Sequence, residues 1–289
     1  MLAQNVVLVH FFSNFCDSSL GQICVGHTEG KGLGYSKGYT SLDLFLSKPL
    51  CQTTFLPFVD LRGHVFNDGK YASNIGLGLR WDNTCCEQIW GIYCFYDSLK
   101  TGHRPYHQIS LGLEAISENW EVHLNGYLPV GRTKTSLYAF VYKSLSASGF
   151  LLKGREQFAM RGVDYEVGYR CSNLYVGLGP YCYWGRSAAT ENVFRHAHKH
   201  TIGGRLRASV SFLRYFQLDA VTTYDPRFKW GGQFTLAVCL PFDLFRCRED
   251  VCHFNERLYQ PVVRNEIMVI DRINRYSTNP EILNPQFNP

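Results

Sequence analysis

The stretch NWEVHLNGYLPVG (119–131) alternates between two kinds of side chain with a period of two residues. Val122 and Leu124 are apolar, whereas Glu121 and His123, which alternate with them, are polar. Because an extended chain turns successive side chains to opposite faces, the stretch predicts a strand with two different faces. In a soluble protein the apolar face is packed and the polar face is wet. In a membrane barrel the apolar face meets lipid and the polar face lines a lumen.

The same alternation recurs through most of the chain, with turn residues between the segments. It predicts about twelve strands of about ten residues each, which is the length of a tilted membrane-spanning strand. We therefore expect an all-β fold, a twelve-stranded antiparallel up-and-down transmembrane β-barrel. The predicted strands are 39–47, 54–66, 73–82, 87–97, 106–115, 120–129, 134–142, 160–170, 173–184, 199–212, 216–225 and 231–242.

Charged residues of both signs share the polar faces of these strands. A lipid-facing barrel must neutralise them in its lumen, since an unpaired buried ion costs several kcal/mol. We expect a structural network of arginine–carboxylate pairs with trapped water. Its predicted members are Asp43, Asp60, Arg62, Arg80, Glu114, Glu121, Asp164, Glu166, Arg170, Arg205, Arg207 and Asp219.

Two features favour the membrane barrel over a small soluble barrel with charges outside. The polar faces are rich in glycine as well as charge, and tryptophans stand near strand ends on the apolar faces. In the predicted strand order, the connections after strands 3, 5, 9 and 11 lie at one rim. An aromatic girdle is therefore expected at that level, made of Trp81, Trp120, Trp184 and Trp230, with Trp90 close to it.

Composition excludes several other classes. The chain has no apolar run of about 18 residues, so a transmembrane helix is excluded. Its formal net charge is +5 without a long Lys/Arg run, so nucleic acid is not an expected partner. Its 11 cysteines form no CxxC pair, which favours disulfides in an oxidising compartment over a zinc cluster. The odd count leaves at least one thiol unpaired within the chain.

Four strand motifs occur in a familiar order: GIYCFYD (91–97), ISLGLE (109–114), LNGYLP (124–129) and GVDYEVGY (162–169). In order and spacing they resemble the intimin/invasin inverse autotransporter β-domain, over roughly residues 33 to 242. The short, cysteine-rich form is most similar to the chlamydial-type members. The resemblance implies a twelve-stranded barrel in the bacterial outer membrane with both barrel ends on the periplasmic side. It also implies a linker that threads back through the pore and presents adhesive domains outside.

Three regions follow from this resemblance. Residues 1–32 are expected to form an exported leader or a flexible segment, although no basic residue precedes the apolar run VVLVHFF as in a secretory signal. Residues 33–242 are the barrel. Residues 243–289 form a tail whose part 262–271 is expected to enter the lumen as a plug, the alternative being a loose periplasmic tail. About 47 residues follow Phe242, too few for an immunoglobulin-like passenger of about 100 residues, so a passenger is not expected.

Two further motifs could carry chemistry. RHAHKH (195–200) places His196, His198 and His200 on one side of an extended segment, as a zinc or copper site would. No carboxylate or cysteine follows at the spacing of a metal site, so we favour a solvated loop and expect no metal or other cofactor. The glycine-rich stretch 26–38 lacks the phosphate-loop pattern and is interpreted as a flexible lead-in to the barrel.

These observations predict a translocator-like or surface-exposed outer-membrane protein, with adhesion at the cell surface as its context. The alternative is a barrel that binds a host or envelope protein through its extracellular loops, especially 185–198. A porin-like channel and a soluble β-barrel binder are weaker alternatives. Expected partners are outer-membrane lipid and the barrel-assembly machinery. No nucleophile or acid–base set of the kind a barrel hydrolase needs is apparent, so an enzyme is not expected.

Overall fold

The structure, a computed structural model, describes residues 20–48, 55–83, 88–102, 105–140, 152–185, 200–213, 215–242 and 257–277. These residues form fifteen strands and one short 3-10 turn, Arg257–Tyr259. The strands are β1 (Leu20–Lys31), β2 (Tyr39–Ser47), β3 (Phe55–Phe66), β4 (Tyr71–Asn83), β5 (Gln88–Lys100), β6 (Pro105–Ile116), β7 (Trp120–Val130), β8 (Lys134–Phe140), β9 (Leu152–Ala159), β10 (Arg161–Cys171), β11 (Leu174–Trp184), β12 (His200–Phe212), β13 (Phe216–Tyr224), β14 (Gly231–Pro241) and β15 (Ile270–Ser277).

Twelve of the strands close into one antiparallel barrel. The order is β1 to β7, then β10 to β14, with β14 paired back to β1. The predicted fold class, an all-β twelve-stranded antiparallel barrel, is therefore confirmed. Within the described residues, no helix is long and apolar enough to cross a membrane.

The membership of the barrel differs from the prediction at its first strand. Residues 20–31, expected to be part of a leader or flexible segment, form β1, which pairs with β2 on one side and β14 on the other. The interpretation of the whole stretch 26–38 as a flexible lead-in is wrong for this reason. Polar His27 and Glu29 stand on the outer face of β1 and weaken its apolar alternation. The strand is specified instead by pairing with β14, more than 200 residues away, which no local pattern reveals.

The prediction also placed a barrel strand at 134–142, and this is wrong. β7 pairs directly with β10, and β8 pairs with β9 outside the barrel. At 7 residues, β8 is shorter than the roughly 9–11 residues that a spanning strand needs. One predicted strand is lost and one is gained, so the total of twelve is right although its composition is not.

β8 and β9 form a hairpin inserted between β7 and β10, and β15 adds to it as a third strand. The order of this separate sheet is β15–β9–β8, with β15 antiparallel to β9 from Ile270↔Ala159 to Ser277↔Leu152. The chain's last described segment therefore completes a sheet that begins far upstream in the sequence.

The two ends of the barrel differ in their connections. One end, the turn rim, has tight turns such as 117–119 and 172–173. The other end, the loop rim, carries 185–199 and the insertion 131–160 that holds β8 and β9. Because the barrel has an even number of strands, β1 begins and β14 ends at the same rim, the turn rim.

The two faces of the wall have opposite character. Large apolar side chains project outward around the barrel, for example Leu178 (64% exposed), Phe234 (66%) and Leu128 (57%). Charged, amide and aromatic side chains point inward and are buried. An exposed apolar exterior around a charged interior is the arrangement expected for a barrel in lipid.

The glycines of the polar faces accommodate aromatic rings inside the lumen. At six of them, a Cβ atom would lie 2.0–2.4 Å from an aromatic ring of a neighbouring strand, so the space is already filled. Tyr93 lies over Gly112 in this way, directly across the β5–β6 pair. The glycine–ring pairs are Gly76–Phe95, Gly78–Phe58, Gly112–Tyr93, Gly162–Tyr183, Gly168–Tyr175 and Gly203–Tyr181.

The seam between the first and last strands is covalently closed. Cys24 of β1 lies opposite Cys239 of β14, and their sulfurs form a disulfide that links positions 215 residues apart. The predicted use of cysteine in disulfides is confirmed by this bond. Cys94, Cys171 and Cys182 are free thiols.

Candidate functional site

The segment after the barrel runs through the lumen from one rim to the other. Arg257 donates to the backbone oxygens of Ser117 and Glu118, which belong to the β6–β7 turn at the turn rim. Asp271 pairs with Arg227 of the β13–β14 connection at the loop rim (Nε–Oδ1 2.8 Å). Residues 257–271, called the lumen segment below, therefore traverse the barrel, and they include the stretch 262–271 that was expected to enter the lumen.

Arginines hold the lumen segment at its turn-rim end. Arg257 pairs with Glu121 of β7, which also accepts a hydrogen bond from Arg170 at 2.8 Å. Arg80 of β4 is 1% exposed and pairs with Glu114 at 2.6 Å. Its Nη1 donates to the backbone oxygens of Leu258 (2.7 Å) and Gln260 (2.6 Å). These contacts satisfy carbonyl groups of irregular backbone inside the barrel, which would otherwise cost free energy.

A second arginine holds the middle of the segment. Arg62 of β3 chelates Asp60 through Nε and Nη2 at 2.8 and 2.6 Å. It also contacts Glu266 (2.5 Å) and the backbone oxygen of Val262 (2.9 Å). Asn125 of β7 donates to the backbone oxygen of Val263 at 3.2 Å. The wall thus contacts side chains and backbone of the segment together.

Besides Arg257, the segment contributes a second arginine to the wall. Arg264 forms a two-pronged pair with Asp97 of β5, with Nη1–Oδ1 at 2.9 Å and Nη2–Oδ2 at 2.6 Å. Asp97 also accepts from three neutral donors, at 2.7 to 3.0 Å: Asn74, Gln108 and Ser110. The guanidinium lies 4.1 Å from the Phe95 ring centroid. Charge-assisted two-pronged pairs fix geometry as well as energy.

An apolar layer lies near the loop-rim end of the lumen. Residues 267–270 of the segment are each at most 3% exposed and pack among side chains from the ends of the strands. We call this layer the apolar cap. Its members are Ile267, Met268, Val269 and Ile270 of the segment with Leu33, Tyr39, Phe66, Ala72, Leu99, Tyr106, Tyr127, Met160, Tyr181 and Tyr183, flanked by Tyr35, Ala159 and Phe228.

The lumen segment leaves part of the lumen open. A cavity of about 1470 Å³ lies between the segment and the inner faces of β12, β13, β14, β1 and β2, which we call the open wall. Hydroxyl, amide and charged groups line much of this wall, including Thr28, Ser209, Gln217, Thr223 and Gln233. The segment is thus anchored on one side of the barrel and faces a polar space on the other.

The predicted charge network splits between these two sides. The pairs Asp60–Arg62 and Arg80–Glu114 hold the lumen segment, and Glu121 serves both Arg170 and Arg257. On the side of the cavity, Arg205 lies 3.4 Å from Asp164 and Arg207 lies 3.1 Å from Glu166. The remaining two predicted residues, Asp43 and Asp219, also line the cavity. Neither forms an ion pair with a described residue; Asp43 accepts from Ser41, and Asp219 accepts from Gln217.

The segment's own charged residues and one of their partners are absent from the network predicted from the sequence. Arg257, Arg264 and Glu266 lie in an irregular segment where no periodicity reports which way a side chain points. Asp97 could have been predicted from the sequence, because it follows Tyr93 and Phe95 at alternate positions of β5, and all three face the lumen.

The predicted tryptophan girdle does not lie at one level. Trp81, Trp90 and Trp120 lie at the turn rim, whereas Trp184 and Trp230 lie at the loop rim. The prediction of a single rim is wrong because segment 134–142 was counted as a crossing. Removing that crossing reverses the direction of every later strand relative to the earlier ones.

The histidine motif gives no described metal site. His196 and His198 lie outside the described residues, and His200 is an exposed residue at the start of β12. Among the residues that the structure describes, no group of three or more His, Cys, Asp or Glu side chains could hold a metal ion.

Comparison with known proteins identifies the kind of barrel. Residues 35–163 match the family described as "Inverse autotransporter, beta-domain". The resemblance inferred from the strand motifs is confirmed over this stretch. Together with the apolar exterior, the match identifies an outer-membrane β-barrel. The comparison with curated proteins finds no match.

Solved structures share the fold at low sequence identity. One, solved in work on "the Mechanism Behind the in-meso Crystallization of Membrane Proteins", superposes with a TM-score of 0.63 at 14% identity, covering 87% of this chain and 100% of its own. An outer membrane channel from Pseudomonas putida F1 gives 0.44 at 14% identity, with coverages of 78% and 95%. The KdgM porin gives 0.41 at 10% identity, with coverages of 75% and 97%. Of these three, the first is similar enough to support the fold.

Proposed function

We propose that this outer-membrane β-barrel is a translocator-like surface protein that carries its own C-terminal segment through its pore and holds it on the outer face of the cell. The observation that carries the proposal is the path of residues 257–277. They enter the lumen at the turn rim, cross it, and leave at the loop rim to pair with β9.

The lengths of the connections support the orientation. Outer-membrane barrels have short periplasmic turns and longer extracellular loops. The turn rim then faces the periplasm, and the loop rim with its β8–β9 hairpin faces outward. In this orientation β15 is extracellular, and any chain that continues from Ser277 starts outside.

The contacts of the lumen segment support a stable display rather than a passing intermediate. Arg80 and Arg62 of the wall bind its backbone, and Arg264 binds Asp97 in return. The apolar cap and eight residue pairs between β15 and β9 hold the outer part. The proposal therefore assigns the charges on the anchored side of the lumen to holding the segment, not to catalysis.

Epitope accessibility in intact cells tests the proposal. One tag is fused after Pro289, and a second is placed, in a separate variant, within the β2–β3 connection (48–54) at the turn rim. We expect antibody to reach the first tag on intact cells and the second only after the outer membrane is permeabilised. A C-terminal tag that also requires permeabilisation contradicts the proposal. Heat-modifiable gel mobility confirms that both variants are folded barrels.

A second candidate function is binding of a host or envelope protein through the loop rim. It is favoured by the length of the β11–β12 connection (185–199), on the rim where β15 also lies. Replacing residues 186–198 with a glycine–serine linker should then abolish adherence of expressing cells to host cells, or co-purification of an envelope protein. Unchanged adherence and co-purification would refute this candidate and leave the display function standing.

Both candidates imply the same assembly partners. The apolar exterior requires outer-membrane lipid around it, and insertion of such a barrel implies the barrel-assembly machinery. Depleting that machinery should leave the chain protease-sensitive and outside the membrane fraction.

A further inference from the structure

The cavity beside the lumen segment reaches the turn rim. Asn119, Asn173 and Ser211 line it, and all three lie in or beside turns of that rim. At about 1470 Å³ it has room for dozens of water molecules, each of which occupies about 30 Å³ in the liquid. Its open wall carries polar side chains from Gln22 and Ser211 near the turn rim up to Thr223 near the loop rim. Water and small ions therefore have a polar path along most of the barrel.

The cavity ends at the apolar cap. Leu33, Tyr35, Tyr39 and Ile267 line the cavity and also belong to the cap or flank it. The polar lining thus gives way to a layer of aliphatic and aromatic side chains, in which tyrosine hydroxyls are the main polar groups left to replace an ion's hydration shell. A short apolar constriction in series with a wide polar vestibule blocks ions by excluding water.

We propose that the lumen is a gated ion path: the cavity along the open wall is a water-filled vestibule for small hydrated inorganic ions, and the apolar cap is its closed gate. This inference rests on the threaded segment of the proposed function but assigns it a second role. The polar anchors at Arg62, Arg80 and Asp97 lie below the cap, on β3, β4 and β5, outside the open wall. The gate can therefore open without releasing the segment from the lumen.

Planar-bilayer recording in potassium chloride tests the proposal with the purified full-length chain. The triple variant Ile267→Ser, Met268→Ser and Val269→Ser makes the segment's part of the cap polar while leaving the backbone bond from Met160 N to Val269 O possible. We expect resolved current steps above the wild-type baseline. A folded triple variant that stays at the wild-type baseline overturns the proposal.

A pair of further variants tests whether the current passes through the vestibule. Val221 of β13 faces the vestibule, and Ala220 beside it points toward lipid. In the triple background, Val221→Trp should reduce the unitary conductance, whereas Ala220→Trp should leave it unchanged. Equal conductance in the two would show that ions pass elsewhere and would also overturn the proposal.

The outcome can be separated from that of the display function. The C-terminal tag of the triple variant is assayed on the same cells. A surface-accessible tag with no current refutes the gate alone, whereas a tag that requires permeabilisation refutes the display. Heat-modifiable mobility again shows that each variant is folded.

Discussion

Removing Asp97 should release the lumen segment far more than removing its partner Arg264. The two side chains are 1–3% exposed and form a two-pronged pair, but their remaining partners are unequal. Without Arg264, the Asp97 carboxylate still accepts from Asn74, Gln108 and Ser110. Without Asp97, the guanidinium retains the Ser110 hydroxyl at 2.9 Å and the ring of Phe95.

The magnitudes follow from this asymmetry. Leaving a buried charge without its counter-ion costs about 3–5 kcal/mol, which we expect for Asp97→Asn. Losing charge-assisted hydrogen bonds to a group that keeps other donors costs about 1.5–3 kcal/mol, which we expect for Arg264→Met. Since about 1.4 kcal/mol is a tenfold change, Asp97→Asn should raise the open population of the segment roughly a hundredfold or more. Arg264→Met should raise it roughly ten- to a hundredfold.

Trypsin cleavage after Arg257 measures this opening in the folded barrel. Arg257 is buried at the turn rim in the closed lumen and is retained in both variants. When opening and closing are fast, the rate of cleavage tracks the open population. Asp219→Asn is the matched control, because Asp219 lines the open wall and accepts from Gln217 rather than from the segment. Equal cleavage rates for Asp97→Asn and Arg264→Met, or a faster rate for Arg264→Met, would refute the reasoning.

Three further predictions concern the barrel wall, each measured as a shift in urea midpoint in lipid vesicles. Gly112→Ala places a methyl group 2.0 Å from the Tyr93 ring and should cost about 1–3 kcal/mol, whereas Gly126→Ala, with its nearest atom at 3.9 Å, should be nearly neutral; equal costs would contradict the ring–glycine packing. Cys24→Ser should lower stability by about 2–5 kcal/mol in oxidising buffer and abolish the effect of reductant; a reductant effect that persists would exclude this disulfide as its source. Leu124→Arg should cost about 2–4 kcal/mol, and no cost would place Leu124 away from lipid.

Alternation along the strands predicts most of the fold, because the face on which a side chain lies depends only on local sequence. Glu121 and His123 lie two residues apart on one face of the strand, and both are buried in the lumen. Leu124, next to His123, lies on the other face and is exposed to the outside. The same rule places Asp60, Arg62, Asp164 and Glu166 inside. What alternation cannot report is which strands are neighbours.

The incorrect predictions arise where pairing with distant strands determines whether a segment joins the barrel. β1 has polar residues on its outer face and becomes a strand through β2 and β14. Residues 134–140 alternate well enough to be taken for a barrel strand, yet they are too short and pair outside the barrel. That single miscounted crossing is what moved Trp184 and Trp230 to the wrong rim.

The charged residues of the barrel wall could be predicted from the sequence, whereas those of the lumen segment could not. Strand residues such as Arg80 and Glu114 were identified because their faces follow from the pleat. Arg257 and Arg264 lie in irregular backbone, whose course is set by the wall that surrounds it. The division of the lumen into an anchored side and an open side also depends on that course.

The antiparallel pairing of β15 with β9 determines how the protein would respond to a pull from outside. β15 leaves the rim at Ile270 and points away from the membrane to Ser277, whereas β9 returns toward the rim at Ala159, where it joins the barrel. A pull on the C-terminal end is therefore opposed by the far end of the partner strand. The ladder is loaded in shear, so its hydrogen bonds share the force instead of opening one after another. A cell attached through this segment would be held by the pairing of eight residues at once.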